Sequence, residues 1–372
     1  MIYLDHAATS LLKPVAVERA VSRALRTMAS PGRGSHEPAM LAAETVYRCR
    51  EAAAALFHME EPERVVFTMN ATHGLNIAII SLASEGSRVL ISGFEHNAVT
   101  RPLHALGVKL QVAGRKLFDP EDTLRSFAAA IPSSDLVVCT AVSNVFGYRL
   151  PIQEIAELCR REGVPLVVDA SQAAGVLDLD FPALGAAFMA MPGHKGLLGP
   201  QGTGLLLCGR ETKPLLFGGS GSESREQTMP ETLPDRLEAG THNVCGIAGL
   251  MAGIEYVRAR GTEEILRHES ALLRQSIRLL RGADCQLFTG APSTQTGVLS
   301  LRSPRFDCET LAARLGDRGI CVRSGLHCAP LAHESAGTLE SGTLRLSFSP
   351  LLDAGSVSKA CVALRQLLGA DS

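Results

Sequence analysis

The sequence predicts an α/β fold in which a mostly parallel sheet is covered by helices and followed by a smaller α+β unit in the C-terminal third. Three observations carry this expectation. Between residues 64 and 208, short β-rich apolar runs alternate with helical patterns. The polar residues of that region gather where the apolar runs end, which is where open α/β sheets carry function. From Gly218 to Pro234 the composition turns to Gly, Ser, Glu, Thr and Pro without periodicity, setting off the helices and strands that come later.

In chain order, Val17, Ala20, Val21, Ala24, Leu25 and Met28 recur at helical spacing, with Pro14 near the start. Pro31 to Gly34 breaks the chain, and a second amphipathic helix runs through Ala42, Val46, Cys49, Ala53 and Leu56. Strands are expected at 64–68, 88–91, 108–112, 136–141, 166–169, 186–190 and 205–207. Helices are expected between them at 71–82, 96–106, 120–131 and 152–161. Beyond the irregular stretch, 245–281 reads as helical, 297–301, 320–323 and 344–348 as strands, and 308–315 and 355–368 as helices. The expected division is a large domain over residues 13–243 and a small one formed by 1–12 with 244–372.

The 372 residues carry a formal net charge of -2 and no Lys/Arg run, so there is no electrostatic footprint for nucleic acid. No apolar run approaches a membrane span, and the N-terminus lacks the basic-then-apolar pattern of a signal peptide. A cytoplasmic protein is expected. The ten cysteines form no C-x-x-C pair, and most fall in apolar strands or helical patterns as small hydrophobes.

The segment Met191 to Gly204 places Lys195 in a glycine-rich loop between two apolar runs. A lysine there either reacts with a carbonyl as a free amine or is a solvated surface residue. The loop lacks the Gly-Lys-Ser/Thr ending of a phosphate-binding loop, and no G-x-G-x-x-G follows a strand. Asn70 to His73 opens a helix and is read as an anion site or a plain N-cap. His96 follows the next strand and either stacks on a planar ligand or is an exposed helix-start residue. Asp169, at the end of an apolar strand, is costly to bury without a cation. With Lys195 it suits a pyridine cofactor, the carboxylate holding the ring nitrogen protonated and the amine linking to the aldehyde. A structural Asp–Lys ion pair is the alternative.

The segments Tyr3–Thr9, Gly34–His36, Phe67–Thr72, Glu95–Asn97, Val142–Gly147, Val168–Gln172 and Gly193–Lys195 resemble, in order, those of class V aminotransferase-fold enzymes. Glu238–Asn243, Arg323–Ala329 and Thr343–Ser347 continue the series, and the closest resemblance is to the cysteine desulfurase and selenocysteine lyase branch. It implies a pyridoxal 5'-phosphate enzyme of fold type I with a seven-stranded-type sheet, usually a homodimer. By this resemblance, Lys195 links to the cofactor, Asp169 pairs with the pyridinium nitrogen, and Gln172 bonds the phenolic oxygen. His96 stacks on the ring and moves protons. Ala71, Thr72 and His194 hold the phosphate, with Thr241 reaching it from a partner subunit. Asn144 and Arg345 receive the substrate carboxylate, and Arg323 is a further substrate-binding residue.

Cys328, in Arg323-Ser-Gly-Leu-His-Cys-Ala, matches the nucleophile loop of the desulfurases. The implied reaction takes L-cysteine to L-alanine and leaves sulfur on Cys328 as a persulfide for a sulfur acceptor. Arg323 and His327 are expected to favour its thiolate. A buried structural cysteine, or a zinc site from Cys321, His327, Cys328 and His333, are the other readings of these residues. Selenocysteine lyase, another pyridoxal phosphate β-lyase or epimerase, and a non-catalytic sulfur-trafficking scaffold are the alternatives for the whole chain. Two positions depart from the family pattern: Pro192 stands where a phosphate-contacting serine is common, and His73 where an acidic residue is common. The short stretch from Cys328 to Arg345 predicts a constrained nucleophile loop.

Overall fold

In the computed structural model, residues 1–32 and 34–369 are described. Arg33 in the predicted chain break and residues 370–372 of the predicted small domain lie outside the described residues. The chain opens with β1 (Ile2–Tyr3), α1 (Val15–Thr27) and α2 (Glu37–Leu56). The alternating region follows as β2 (Val65–Thr68), α3 (Ala71–Leu82), β3 (Arg88–Ser92), α4 (Asn97–Ala105), β4 (Lys109–Ala113) and α5 (Pro120–Ala130). It continues through β5 (Leu136–Thr140), α6 (Ile152–Glu162), β6 (Leu166–Asp169), α7 (Phe181–Leu184), β7 (Phe188–Pro192) and β8 (Gly204–Cys208).

These strands form one seven-stranded sheet in the order β2-β8-β7-β6-β5-β3-β4. The pairs from β4 through β7 are parallel, and β8 runs antiparallel to both β7 and β2. Strands β5, β6, β7 and β8 are buried at every position, as expected for a sheet covered on both faces. Their alternate side chains feed two separate cores, with Val168, Met189 and Leu207 on one face and Val167, Phe188 and Leu206 on the other.

The C-terminal third contains α8 (Val244–Arg260), α9 (Thr262–Leu280), β9 (Gln286–Phe288), β10 (Val298–Arg302), α10 (Cys308–Gly316) and β11 (Ile320–Cys321). It closes with β12 (Arg323–Gly325), α11 (Pro330–Ala336), β13 (Thr343–Ser347) and α12 (Ala354–Leu368). The helical patterns expected over 245–281 form two helices, with Gly261 at φ 82 turning the chain between them. The single strand expected at 320–323 is also divided. Ile320–Cys321 pairs in parallel with β1, whereas Arg323–Gly325 joins the four-stranded sheet β12-β13-β10-β9. Leu4 belongs to the core under that sheet, so the N-terminal residues pack with the C-terminal third. Helix α8, which begins just after the expected boundary at 243, places Val244, Ile247, Leu250 and Ile254 in the core of the seven-stranded sheet. Its nearly all-round apolar sequence is that of a helix buried between neighbours, here α1 and α2.

Candidate active site

The carboxyl ends of β5, β6 and β7 and the start of α3 surround a cavity of about 210 Å³. Asp169 ends β6 and is 2% exposed; its Oδ1 accepts from the Ser171 amide at 2.9 Å. Register pairs Asp169 with Ala190 on β7, and the chain then turns through Pro192 and Gly193 to bring Lys195 to the same wall. Two glycines allow the lysine loop to sit so close to the neighbouring turn. A Cβ at Gly196 would strike the Ala174 carbonyl, and one at Gly175, already at φ 80, would strike the Gly196 carbonyl. The Gly199 amide donates to Gly193 O at 2.7 Å and closes the loop on itself.

Burial pulls the Lys195 ammonium down to about 8, with Asp169 working against the shift and Arg345 and Arg323 adding to it. An amine of that kind is available as a nucleophile near neutrality. Burial likewise lowers His96 and His194 to about 4, so both rings are neutral at pH 7. His96 caps α4, its Nδ1 accepting from the Ala98 amide at 3.0 Å, which leaves Nε2 as the ring nitrogen not committed to the cap. Asn70 caps α3 by accepting from His73 N at 2.9 Å. The amides of Ala71 and Thr72, in the first turn, have no helical acceptor. Asn70, Ala71, Thr72, Asn144, Gln172, His194 and Lys195 all line the cavity with Asp169 and His96.

A planar pyridine with an aldehyde and an anionic tail fits this donor set. The amine and the carboxylate stand at one wall, a neutral imidazole is available to the ring face, and helix-start amides with the Thr72 hydroxyl meet the anion. Two side chains differ in detail from their expected engagements. The Gln172 Nε2 donates to Ala7 O at 2.9 Å, and His194 Nδ1 lies 3.0 Å from Thr9 Oγ1. Thr241 is exposed and lines a different surface pocket, with Arg50, Glu238 and His242, so this chain does not bring it to its own cavity. Pro192 takes part in the cavity wall and in the β7–β8 pairing opposite Gly204. His73 accepts at Nδ1 from Met69 N at 3.3 Å, and burial lowers its pKa.

Arg345 on β13 is 2% exposed. Its Nη1 donates to Asn144 O at 2.8 Å, its Nη2 pairs with Asp5 Oδ1 at 2.7 Å, and its Nε is buried without a partner. Register on the four-stranded sheet sets Arg323 opposite Arg345. Asp5 was not singled out in the sequence. The signal that finds it is a carboxylate flanked by the apolar Leu4 and the buried His6, where a charge needs a partner.

Cys328 is exposed, unlike Cys49, Cys139, Cys159, Cys208, Cys308 and Cys361. It sits on a tight turn in which His327 (φ 50) and Cys328 (φ 58) are both left-handed. Three hydrogen bonds hold the turn: Asn144 Nδ2 to His327 O at 2.8 Å, Asn97 N to Cys328 O at 2.8 Å, and Ala329 N to Leu326 O at 2.9 Å. The constrained loop expected from the sequence is therefore tied to the cavity wall through Asn144. The expected role of His327 as a neighbouring cation is corrected. Burial, with Arg345 and His333 adding to it, pushes its pKa far down, so the ring is neutral, and its Nε2 turns to Thr343 at 3.1 Å. The zinc reading finds no site, since among the described residues no three His, Cys, Asp or Glu side chains are grouped so as to hold a metal ion.

A reactive lysine and a carboxylate on adjacent strand ends, with helix-start amides for an anion, define the cofactor pocket of an α/β enzyme that works on amines through an aldehyde. The chain belongs to the aminotransferase class-V family, whose sequence model matches residues 2–359. Members of that family depend on pyridoxal phosphate. A probable cysteine desulfurase of Methanothermobacter thermautotrophicus is 33% identical over 361 residues, covering 91% of this chain and 89% of that protein. A cysteine desulfurase of Salmonella dublin is 33% identical over 349 residues, covering 88% and 84%. The apo structure of a cysteine desulfurase from Thermococcus onnurineus NA1 superposes with a TM-score of 0.91 at 30% identity, over 99% of this chain and 94% of that one.

Proposed function

We propose that the protein is a cysteine desulfurase that converts L-cysteine to L-alanine and carries the sulfur on Cys328 for transfer to an acceptor. The observation that carries this reading is the exposed Cys328 on a turn hydrogen-bonded to Asn144, a residue of the cavity wall. Pyridoxal phosphate, when bound, supplies an electron sink conjugated to the substrate Cα. Lys195, Asp169, Gln172 and His96 hold it, and Ala71, Thr72 and His194 take its phosphate. The carboxylate of the substrate is received by Asn144 and by the unpartnered Nε edge of Arg345, with Arg323 adding positive charge nearby. Nδ1 of neutral His96 accepts from the Ala98 amide, so its ring hydrogen is on Nε2 and His96 presents a donor there.

Cys328 acts as a thiolate. Its sulfur bonds to the substrate Sγ as the Cβ–S bond breaks, the electron pair stays with carbon, and a proton on that carbon gives alanine. The same reading includes a cytoplasmic homodimer in which Thr241 of one subunit serves the phosphate of the other. The test is alanine release from L-cysteine by the wild type and by Cys328→Ser. The variant is expected to lose the activity while keeping the cofactor absorbance; equal rates would sink the persulfide mechanism.

A further inference from the structure

The N-terminal segment lies across the lysine loop. Ser10 is 3% exposed, and its amide and hydroxyl both donate to His194 O, at 2.9 and 2.8 Å. Lys13, half-buried, donates from Nζ to Gly199 O at 2.6 Å and to Ser10 Oγ at 3.0 Å. His194 stands just before Lys195, and Gly199 is where the loop closes on Gly193. An unbroken series of hydrogen bonds therefore runs from Gly199 O through Lys13 and Ser10 to His194 O. Among the described residues no amide of the loop reaches either of those carbonyls. The segment is itself fixed on both sides: Ala7 N donates to Ser347 Oγ of β13 at 2.8 Å, and α1 begins at Val15 and packs on α8.

Three of the seven residues from Gly193 to Gly199 are glycines, and Leu198 is left-handed at φ 58. Glycine loses more conformational freedom on ordering than any other residue, so the direction of Lys195 depends on what holds this loop from outside. We propose that Ser10 and Lys13 are positioning residues for Lys195, a staple that fixes both ends of the loop and so turns the amine to the cofactor cavity. Neither residue lines that cavity, so both act through the loop. A lysine suits the outer position because an ammonium offers three donors, two of which are placed here, and its bond to a carbonyl is stronger than a neutral one.

The inference rests on Lys195 being the cofactor lysine, but not on cysteine being the substrate. The experiment is borohydride reduction of the full-length protein loaded with pyridoxal 5'-phosphate. Peptide mass spectrometry counts the cofactor fixed to Lys195, and absorbance of an unreduced, denatured sample counts all that was bound. In Lys13→Met, which keeps the stem and removes the donors, the ratio of linked to unlinked bound cofactor is expected to fall about ten-fold, the worth of one charge-assisted hydrogen bond. A role confined to general stability lowers linked and total cofactor together; an unchanged ratio therefore overturns the proposal.

In the cofactor-free chain, hydrogen exchange of the peptide over 193–204 is expected to quicken by about the same factor, with peptides from β5 and β6 unchanged. Ser10→Ala, which breaks the series at its middle, is expected to move both readings the same way and serves if Lys13→Met does not fold. Wild-type exchange of the loop in the folded variants, or equal quickening throughout the chain, overturns the proposal. A wild type that links no cofactor to Lys195 overturns the cofactor reading and this one with it. Failure of alanine release with the link intact sinks the desulfurase reading alone.

Discussion

Asn144 joins the two halves of the site. Its side-chain amide donates to His327 O at 2.8 Å, and its own carbonyl accepts from Arg345 Nη1 at the same distance. The nucleophile turn and the buried guanidinium are therefore positioned by one residue. Asn144→Ala leaves the left-handed His327–Cys328 turn with one anchor fewer. A single hydrogen bond is worth about 1 kcal/mol, so alanine formation is expected to fall about five-fold from loss of the turn's anchor alone. The same change is expected to speed alkylation of Cys328 by iodoacetamide. An unchanged alkylation rate would show that the turn holds itself.

Arg345 is almost wholly buried and Asp5 is its counter-ion, bridging the N-terminal segment to β13 beside the Asp5–Ser347 contact. Removing one partner of a buried pair strands the other charge, which costs about 3 kcal/mol. Asp5→Ala is expected to lower the urea midpoint accordingly, while Arg345→Met with Asp5→Ala recovers part of the loss. The double-mutant cycle, measured by equilibrium unfolding, separates this coupling from general damage to the N-terminus.

The sheet was legible because its strands are buried on both faces and so appear as unbroken apolar runs, as at Leu136–Thr140 and Leu166–Asp169. The helix at Ala71–Leu82 was legible to the residue because Asn70 caps it. What escaped was set by long-range contact. Strand β1 is two residues that exist only by pairing with β11, and β11 and β12 separate only because they serve different sheets. The cavity residues were legible as strand-end polar groups, and the arrangement brings Asp169, His96, Gln172 and Lys195 together. Asp5 was not, since its partner Arg345 lies 340 residues away along the chain.

Glu95 is fully buried behind His96. Its Oε1 accepts from Ser92 Oγ and from the Thr140 amide at 2.8 Å, and its Oε2 has no partner. Burial raises its pKa to about 8 despite those bonds. A carboxyl raised in the folded state costs nothing below the unfolded value near 4.5, and its contribution to stability is lost as pH climbs through about 8. Glu95→Gln keeps the acceptor and cannot ionise. Relative to wild type it is expected to gain stability from pH 5 to pH 8, by up to about 1.4 kcal/mol per pH unit. Urea midpoints of both proteins at the two pH values check this; a constant difference would mean that Glu95 ionises freely.

Gly196 sets how near Lys195 can approach the Asp169 wall. A methyl group there meets the Ala174 carbonyl, and the loop has little room to retreat because Gly193, Gly199 and Gly253 are packed as closely. Overpacking of this kind costs about 1–3 kcal/mol in a well-packed core. The strain falls on the loop that aims the amine, whereas the sheet beneath is fixed by its ladder. Gly196→Ala is therefore expected to weaken cofactor retention by at least ten-fold while lowering the unfolding midpoint only modestly. Visible absorbance during dialysis reads the first quantity and circular dichroism in urea the second. Equal losses in both would place the strain in the whole fold and not in the aim of Lys195.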